Sequence, residues 1–231
     1  MTDWAYFQEI LLDFSHSGQP ISFWWREDDV ACDSKNLVII LDLLLKYKIP
    51  VLCSVIPNLL TNDVIQILKS HPNSIVGQHG LNHQNNYTID YKCEFDSADS
   101  LGALIAGRIM LKDIFQNKFL PVYIPPWNNI SKFFKGILLD NGYVAVSGYN
   151  YSAMNKRTYN VDVDLIDWNK SESFSDDSFV MKQILQCFSR KDFNVGIVNH
   201  HRTIGIEGIK FIEKLLSETH KYSNISWKIP F

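Results

Sequence analysis

The chain lacks a basic excess. Its 231 residues carry 22 Lys and Arg against 25 Asp and Glu, a formal charge of −3. A dedicated nucleic-acid binder needs a basic field, so that class is disfavoured. Long apolar runs are missing too. The longest, Leu37–Leu45, is broken by Asp42 and falls far short of the roughly 20 residues of a membrane span. Met1–Ile10 shows no basic segment leading into an apolar one, so no secretory signal is legible and a cytoplasmic location is expected. Cysteine is sparse: Cys32, Cys53, Cys93 and Cys187, with no CxxC pair. That spacing argues against a structural zinc site or a disulfide framework, and for reduced, mostly buried thiols. Only 11 Gly and 8 Pro are present, and neither gathers into a linker. No GxGxxG follows the first strand pattern, which disfavours a dinucleotide-binding fold.

What is present is the composition of a globule, 46% hydrophobic and 20% charged, with an alternation of short β-type runs and longer helical patterns. Ile21–Trp25 reads as a strand and Ser34–Tyr47 as an amphipathic helix capped by Asp33 or Ser34. Val51–Ile56, Ser74–Gly77, Val122–Ile124, Val144–Ser147, Val161–Ile166 and Val195–Asn199 read as further strands, and Ile225–Ile229 as a last one. Helical spacing covers Asn62–Ser70, Ser97–Phe115, Ser131–Asp140, Asp177–Phe188 and Gly208–His220. Asn141-Gly142 is a helix stop, and Gly148–Tyr159 reads as a loop. Such alternation predicts an α/β fold with a parallel sheet of about seven strands, open or closed into a barrel.

Functional residues of parallel α/β folds gather where strands end. The first strand is followed by Arg26-Glu27-Asp28-Asp29 and the third by Gln78-His79-Gly80-Leu81-Asn82-His83. Pro125-Pro126-Trp127-Asn128, Asp167-Trp168 and Asn199-His200-His201 follow later strands. Adjacent carboxylates repel unless a cation is near, and alternation sends Asp28 and Asp29 to different sides. One can bind a metal while the other faces substrate; a solvated acidic turn is the plain alternative. His79 and His83 are spaced so that a helical turn would aim both imidazoles one way, and with one carboxylate they make a His/His/Asp metal set. Pro125-Pro126 stiffens a segment that presents Trp127, an indole face suited to a sugar ring or to packing. Asp167-Trp168 invites the same two readings. Of His200 and His201 only one can point with Val198; that one can serve as a general acid or be a satisfied buried histidine.

In order, these pieces resemble the NodB-type polysaccharide deacetylase superfamily, the carbohydrate esterase family four and its relatives. Arg26-Glu27-Asp28-Asp29-Val30 stands where that family has Thr-Phe-Asp-Asp-Gly. His79–His83 stands for its HxxxH and Ile124-Pro125-Pro126-Trp127-Asn128 for its Arg-Pro-Pro-Tyr-Gly-like segment. Asp167-Trp168 and Val198-Asn199-His200 resemble its last two motifs. The matches span 23–201 as short islands, and the variant looks like a divergent branch. Two departures stand out. Ile124 replaces the arginine that orients the family's catalytic aspartate, for which Arg26 is the conceivable substitute, and Val30 replaces a glycine.

The resemblance implies a distorted (β/α) barrel and a single deacetylase-like catalytic domain over 1–231. It implies one divalent ion, zinc first and nickel, cobalt or iron as alternatives, on Asp29, His79 and His83. Metal-bound water would be the nucleophile, Asp28 the general base and His200 the general acid, releasing acetate from an N-acetylated amino sugar. Pro126, Trp127, Asp167, Trp168 and His201 would touch the carbohydrate. Neither nucleic acid nor membrane is an expected partner. Two alternatives compete: a metal-dependent amidohydrolase on another small N-acyl compound, and a catalytically dead sugar-binding module. The stretch Gln84–Asp99 reads equally as a closing loop or an exposed excursion.

Overall fold

A computed structural model describes residues 3–32, 35–149, 157–189 and 193–231. In chain order the elements are α1 (Asp3–Ser17), β1 (Ile21–Val30), α2 (Lys35–Lys46), β2 (Val51–Val55), α3 (Asn62–Ser70) and β3 (Ser74–His79). They continue with α4 (Leu101–Phe115), β4 (Phe119–Ile124), α5 (Lys132–Asp140), β5 (Ala145–Val146), β6 (Val163–Asp164) and β7 (Ile166–Asp167). The last are β8 (Ser173–Phe174), α6 (Asp177–Ser189), β9 (Asn194–Asn199), α7 (Gly205–Thr219) and β10 (Ile225–Trp227). None of the helices is long and apolar enough to cross a membrane among the described residues.

The chain forms two compact units. The first comprises 1–27, 36–51 and 161–230. In it β9 pairs in parallel with both β1 and β6, and β10 pairs in parallel with the start of β1. Helix α1 was not anticipated, although Trp4, Phe7 and Leu11 recur at helical spacing and are its buried residues. Phe7 stacks on Phe188 of α6 with ring centroids 6.1 Å apart, and Trp4 packs on Phe211 of α7 at 5.3 Å. Aromatic burial of this kind anchors the helix against its propensity cost.

The second unit comprises 28–35 and 52–160, with Phe231. Its strand order is β5-β4-β3-β2, continued by the end of β1. The β3–β4 and β4–β5 pairs are parallel. A buried cluster of Leu104, Tyr123, Phe134, Leu138, Tyr143 and Val146 fills the space between sheet and helices α4 and α5. Ser131 caps α5 by accepting from the Phe134 N–H, and Asn141 with Gly142 (φ +91°) stops it.

The α/β alternation with parallel strands is as the sequence implies, and Asn62–Ser70 agrees to the residue. Boundaries differ elsewhere for identifiable reasons. β1 does not stop at Trp25 but runs to Val30, because Arg26, Glu27 and Asp28 are themselves buried. Val161–Ile166 is not one strand: β6 pairs with β9, whereas β7 turns away to pair antiparallel with β8. Ser97–Phe115 begins as a 3-10 turn with Ser97 as its cap before α4 starts at Leu101. The expected caps at Asp33 and Ser34, and the middle of the Gly148–Tyr159 loop, lie outside the described residues.

Candidate functional site

The second unit places Asp28 and Asp29 at the end of β1. Asp28 is buried, and Oδ1 accepts a hydrogen bond from the Ser54 hydroxyl of β2 at 2.6 Å. Asp29 adopts a left-handed backbone (φ +59°) although it sits within a strand. That conformation, costly for most residues and tolerable for Asp, breaks the alternation and re-aims the side chain. His83, Trp127 and Asn128 share it, so among the described residues four of the seven non-glycine left-handed ones lie in this one neighbourhood or its flanks. Clustered strain of this sort marks functional backbone.

His79 is the last residue of β3 and almost wholly buried. Its Nδ1 lies 3.0 Å from the Ile124 carbonyl. A carbonyl can only accept, so Nδ1 carries a proton, and in the neutral ring Nε2 is left with the lone pair. That Nε2 is 3.1 Å from Asp29 Oδ1, and His83 Nε2 reaches the same oxygen at 3.2 Å. Burial pulls the His79 pKa down, but the Asp29 hydrogen bond and the charges of Asp28 and Asp29 outweigh it and hold the group above its ordinary value. The pair does not lie on a helical turn, as the spacing suggests. His79 is on the strand and His83 follows a tight turn through Gly80, whose φ is +57°.

The donor set fits a metal ion. Two neutral ring nitrogens and a carboxylate oxygen cannot crowd together without a proton or cation between them. Ligands 2.0–2.1 Å from a tetrahedral centre lie about 3.3 Å apart, close to the separations observed. Among the described residues this is the one group of three His, Cys, Asp or Glu side chains whose ligand atoms gather within 4.8 Å.

Trp127 packs its ring 4.5 Å from that of His83, and the buried Pro126 opens the 3-10 turn that carries it. The stretch Gln84–Asp99 is an exposed excursion over most of 84–92 and is tied down beyond it. Cys93 Sγ donates to the Asn129 carbonyl at 3.3 Å, Asn129 donates back to the Lys92 carbonyl at 2.8 Å, and Asp96 accepts from the Ser131 N–H at 2.7 Å. It is a strap tied to the 125–131 segment.

The first unit holds the remaining candidates. His200 sits just after β9, 8% exposed, with Nδ1 4.0 Å from Asp164 Oδ1. Trp168 packs edge-on against it at 4.8 Å and donates its indole N–H to Asp164 Oδ2 at 2.9 Å. Trp168 is 44% exposed and offers a free aromatic surface. Asp167 and His201 do not fit the substrate contacts expected of them. Asp167 is buried, and its Oδ1 accepts from the Asn169 N–H within its own turn. His201 is fully buried, and both its N–H and Nδ1 engage Glu27 Oε1, at 2.8 and 3.2 Å. Glu27 also accepts from Asn199 and Trp25, so this buried carboxylate is satisfied and serves the fold.

Four residues with polar contacts here were not among the expected site residues: Ser54, Asp164, Glu94, whose carboxylate accepts from the N–H groups of Leu81, Asn82 and His83, and Gln78, which donates to the Gly80 carbonyl. Asp162 and Asp164 alternate with apolar residues, which places them on one face of a strand; that signal was available. Ser54, Gln78 and Glu94 give none, since their partners are backbone groups or residues distant in sequence.

No family model matches the sequence, and no curated protein matches it. Solved structures do. One is a peptidoglycan N-acetylglucosamine deacetylase, with TM-score 0.58 and 11% identity over 86% of this chain and 80% of that one. Another is a family 4 acetyl xylan esterase from Clostridium thermocellum in complex with a cobalt ion, at TM-score 0.56 and 13% identity, covering 91% of this chain and all of the other. A third is a CE4 family pseudoenzyme from Bacillus anthracis, at TM-score 0.62 and 16% identity over 90% of this chain and 64% of its own. The chain has the NodB-type deacetylase fold. The distorted (β/α) barrel expected from the motifs is therefore its architecture. Identities this low establish the fold alone.

Proposed function

We propose that the protein is a metal-dependent hydrolase that removes N-acetyl groups from an amino-sugar or related carbohydrate. The observation that carries the reading is the convergence of His79 Nε2 and His83 Nε2 on Asp29 Oδ1, with the buried Asp28 beside them. These three side chains would hold one divalent ion, zinc in the first instance. Such an ion supplies Lewis acidity toward an acyl oxygen and eases the deprotonation of water. Asp28, its carboxylate held by Ser54, is the base that takes the proton from the attacking water. His200 is the acid that delivers a proton to the departing amine, with Asp164 and Trp168 fixing its ring. Trp127, packed beside His83, supplies an aromatic face on which a pyranose ring stacks. Structural neighbours that include a peptidoglycan N-acetylglucosamine deacetylase and an acetyl xylan esterase support the acetyl-sugar class.

The test is metal content of unchelated protein, paired with acetate release from N-acetylated sugars. Wild type should carry about one equivalent and the His79→Ala/His83→Ala double variant none. Unchanged metal stoichiometry in the double variant would sink the assignment. A second reading, a sugar-binding module without turnover, draws support from Ile124 in place of the family's arginine and from the neighbouring pseudoenzyme. Metal-loaded protein that binds sugar but releases no acetate would select it.

A further inference from the structure

We infer that Glu94 is a positioning residue for the metal ligand His83, a conclusion that rests on the metal reading of Asp29, His79 and His83. The turn that leaves β3 must bring the second imidazole back beside the first. In doing so it aims successive backbone N–H groups inward. Leu81, Asn82 and His83 all donate to the Glu94 carboxylate, at 3.0, 2.6 and 3.2 Å. A run of backbone N–H groups forms a concavity that binds anions. Here the chain fills it with its own side chain, 1% exposed. A carboxylate in that position is costly unless fully hydrogen-bonded, and charge-assisted bonds are about twice as strong as neutral ones. The arrangement therefore fixes the left-handed His83 backbone far more firmly than a solvated turn would.

The neighbours of Glu94 make the same case. A Cβ on Gly80 would collide with Glu94 Oε2 and the Pro126 ring, so the glycine is required by the carboxylate's position. From the other side Gln78, fully buried, donates to the Gly80 carbonyl at 3.0 Å and to the Leu104 carbonyl at 3.1 Å. Tyr143 donates to Gln78 Oε1 at 2.7 Å and holds that amide in place. Glu94 is itself anchored, since Asn86 donates to its carbonyl at 2.9 Å and the Asn86 N–H to the Cys93 carbonyl at 2.9 Å. The strap is thus the frame from which the metal turn is hung.

The test is cobalt(II) binding by wild type, Glu94→Gln and His83→Ala, read as dissociation constant and visible absorption spectrum, with melting temperature alongside. Glutamine keeps the volume but turns an NH2 group toward backbone N–H donors. Partners behind a metal ligand typically change affinity by about 10–100-fold. Glu94→Gln should weaken cobalt by that factor and alter the spectrum of what still binds. A purely structural Glu94 would lower the melting temperature and leave the folded protein's affinity and spectrum unchanged, overturning the proposal. Wild type that binds no cobalt would overturn the metal reading and this one together. Wild-type binding lost in His83→Ala but intact in Glu94→Gln would overturn Glu94 alone. If Glu94→Gln does not fold, amide exchange of 81–83 in metal-free wild type decides. Protection is expected, and exchange at the rate of an unstructured peptide refutes the clamp.

Discussion

Asp28 and Asp29 are adjacent carboxylates with different surroundings, and single substitutions separate their roles. Asp28→Asn keeps the shape and the Ser54 contact, so metal should remain while turnover is lost; full activity would reject Asp28 as base. Ser54→Ala frees the Asp28 rotamer, and a loss of kcat of about tenfold with unchanged metal affinity is expected, by analogy with other orienting partners. Cys93 offers a check on the strap. Burial, ahead of the nearby Asp96 charge, pushes its thiol up to about 11, whereas Cys32 is exposed. Alkylation at pH 8 should modify Cys32 first and spare Cys93 until the protein unfolds. The sign follows from linkage. A raised folded value means Cys93 contributes stability that is intact below its unfolded value and is lost as pH climbs through about 11. A Cys93 that labels as fast as Cys32 at pH 8 would show that the strap is not tied down.

Among the elements, β1 shows what a sequence discloses and what it hides. Its start, Ile21–Trp25, is apolar and reads as a strand. Its end is charged, and only three-dimensional partners reveal that the strand continues: Ser54 for Asp28, and Asn199, Trp25 and His201 for Glu27. The Asp29, His79 and His83 cluster was legible because its residue types stand in that order at strand ends. The turn that aims it was not, because left-handed Asp29 and His83 have no side-chain signature and the Glu94 clamp acts on backbone. Asp167 and His201 are buried and hydrogen-bonded within the fold: a polar residue beside a strand end can serve the fold as readily as a ligand. Helix α1 was overlooked although its stripe was there. Phe7→Ala should therefore cost about 3–5 kcal/mol, the usual range for a buried aromatic, measured by denaturant titration. A loss below 1 kcal/mol on the same scale would mean α1 docks without it. Gly196→Ala in β9 tests packing at a different point, because a Cβ there would strike the Trp24 indole. Native-like stability for that variant would contradict the close approach.

At the scale of the whole molecule, the candidate metal set joins two separate stretches of the second unit: the end of β1, and the end of β3 with the turn beyond it. Metal that binds these groups only when they are assembled must stabilise the assembled state, by RT ln(1 + [L]/Kd), or about 2.7 kcal/mol at one hundred times Kd. For chains of 150–250 residues each kcal/mol moves the melting temperature by about 2–4 °C, so zinc at that excess should raise it by about 5–11 °C. The His79→Ala/His83→Ala variant should show no such rise, while keeping a cooperative transition of its own because the core clusters do not depend on the histidines. This readout needs no substrate and no turnover. It therefore separates a metal protein that has lost its reaction from a fold that has lost its metal: a melting curve indifferent to zinc in wild type places the chain with the latter, whatever sugars it is later found to hold.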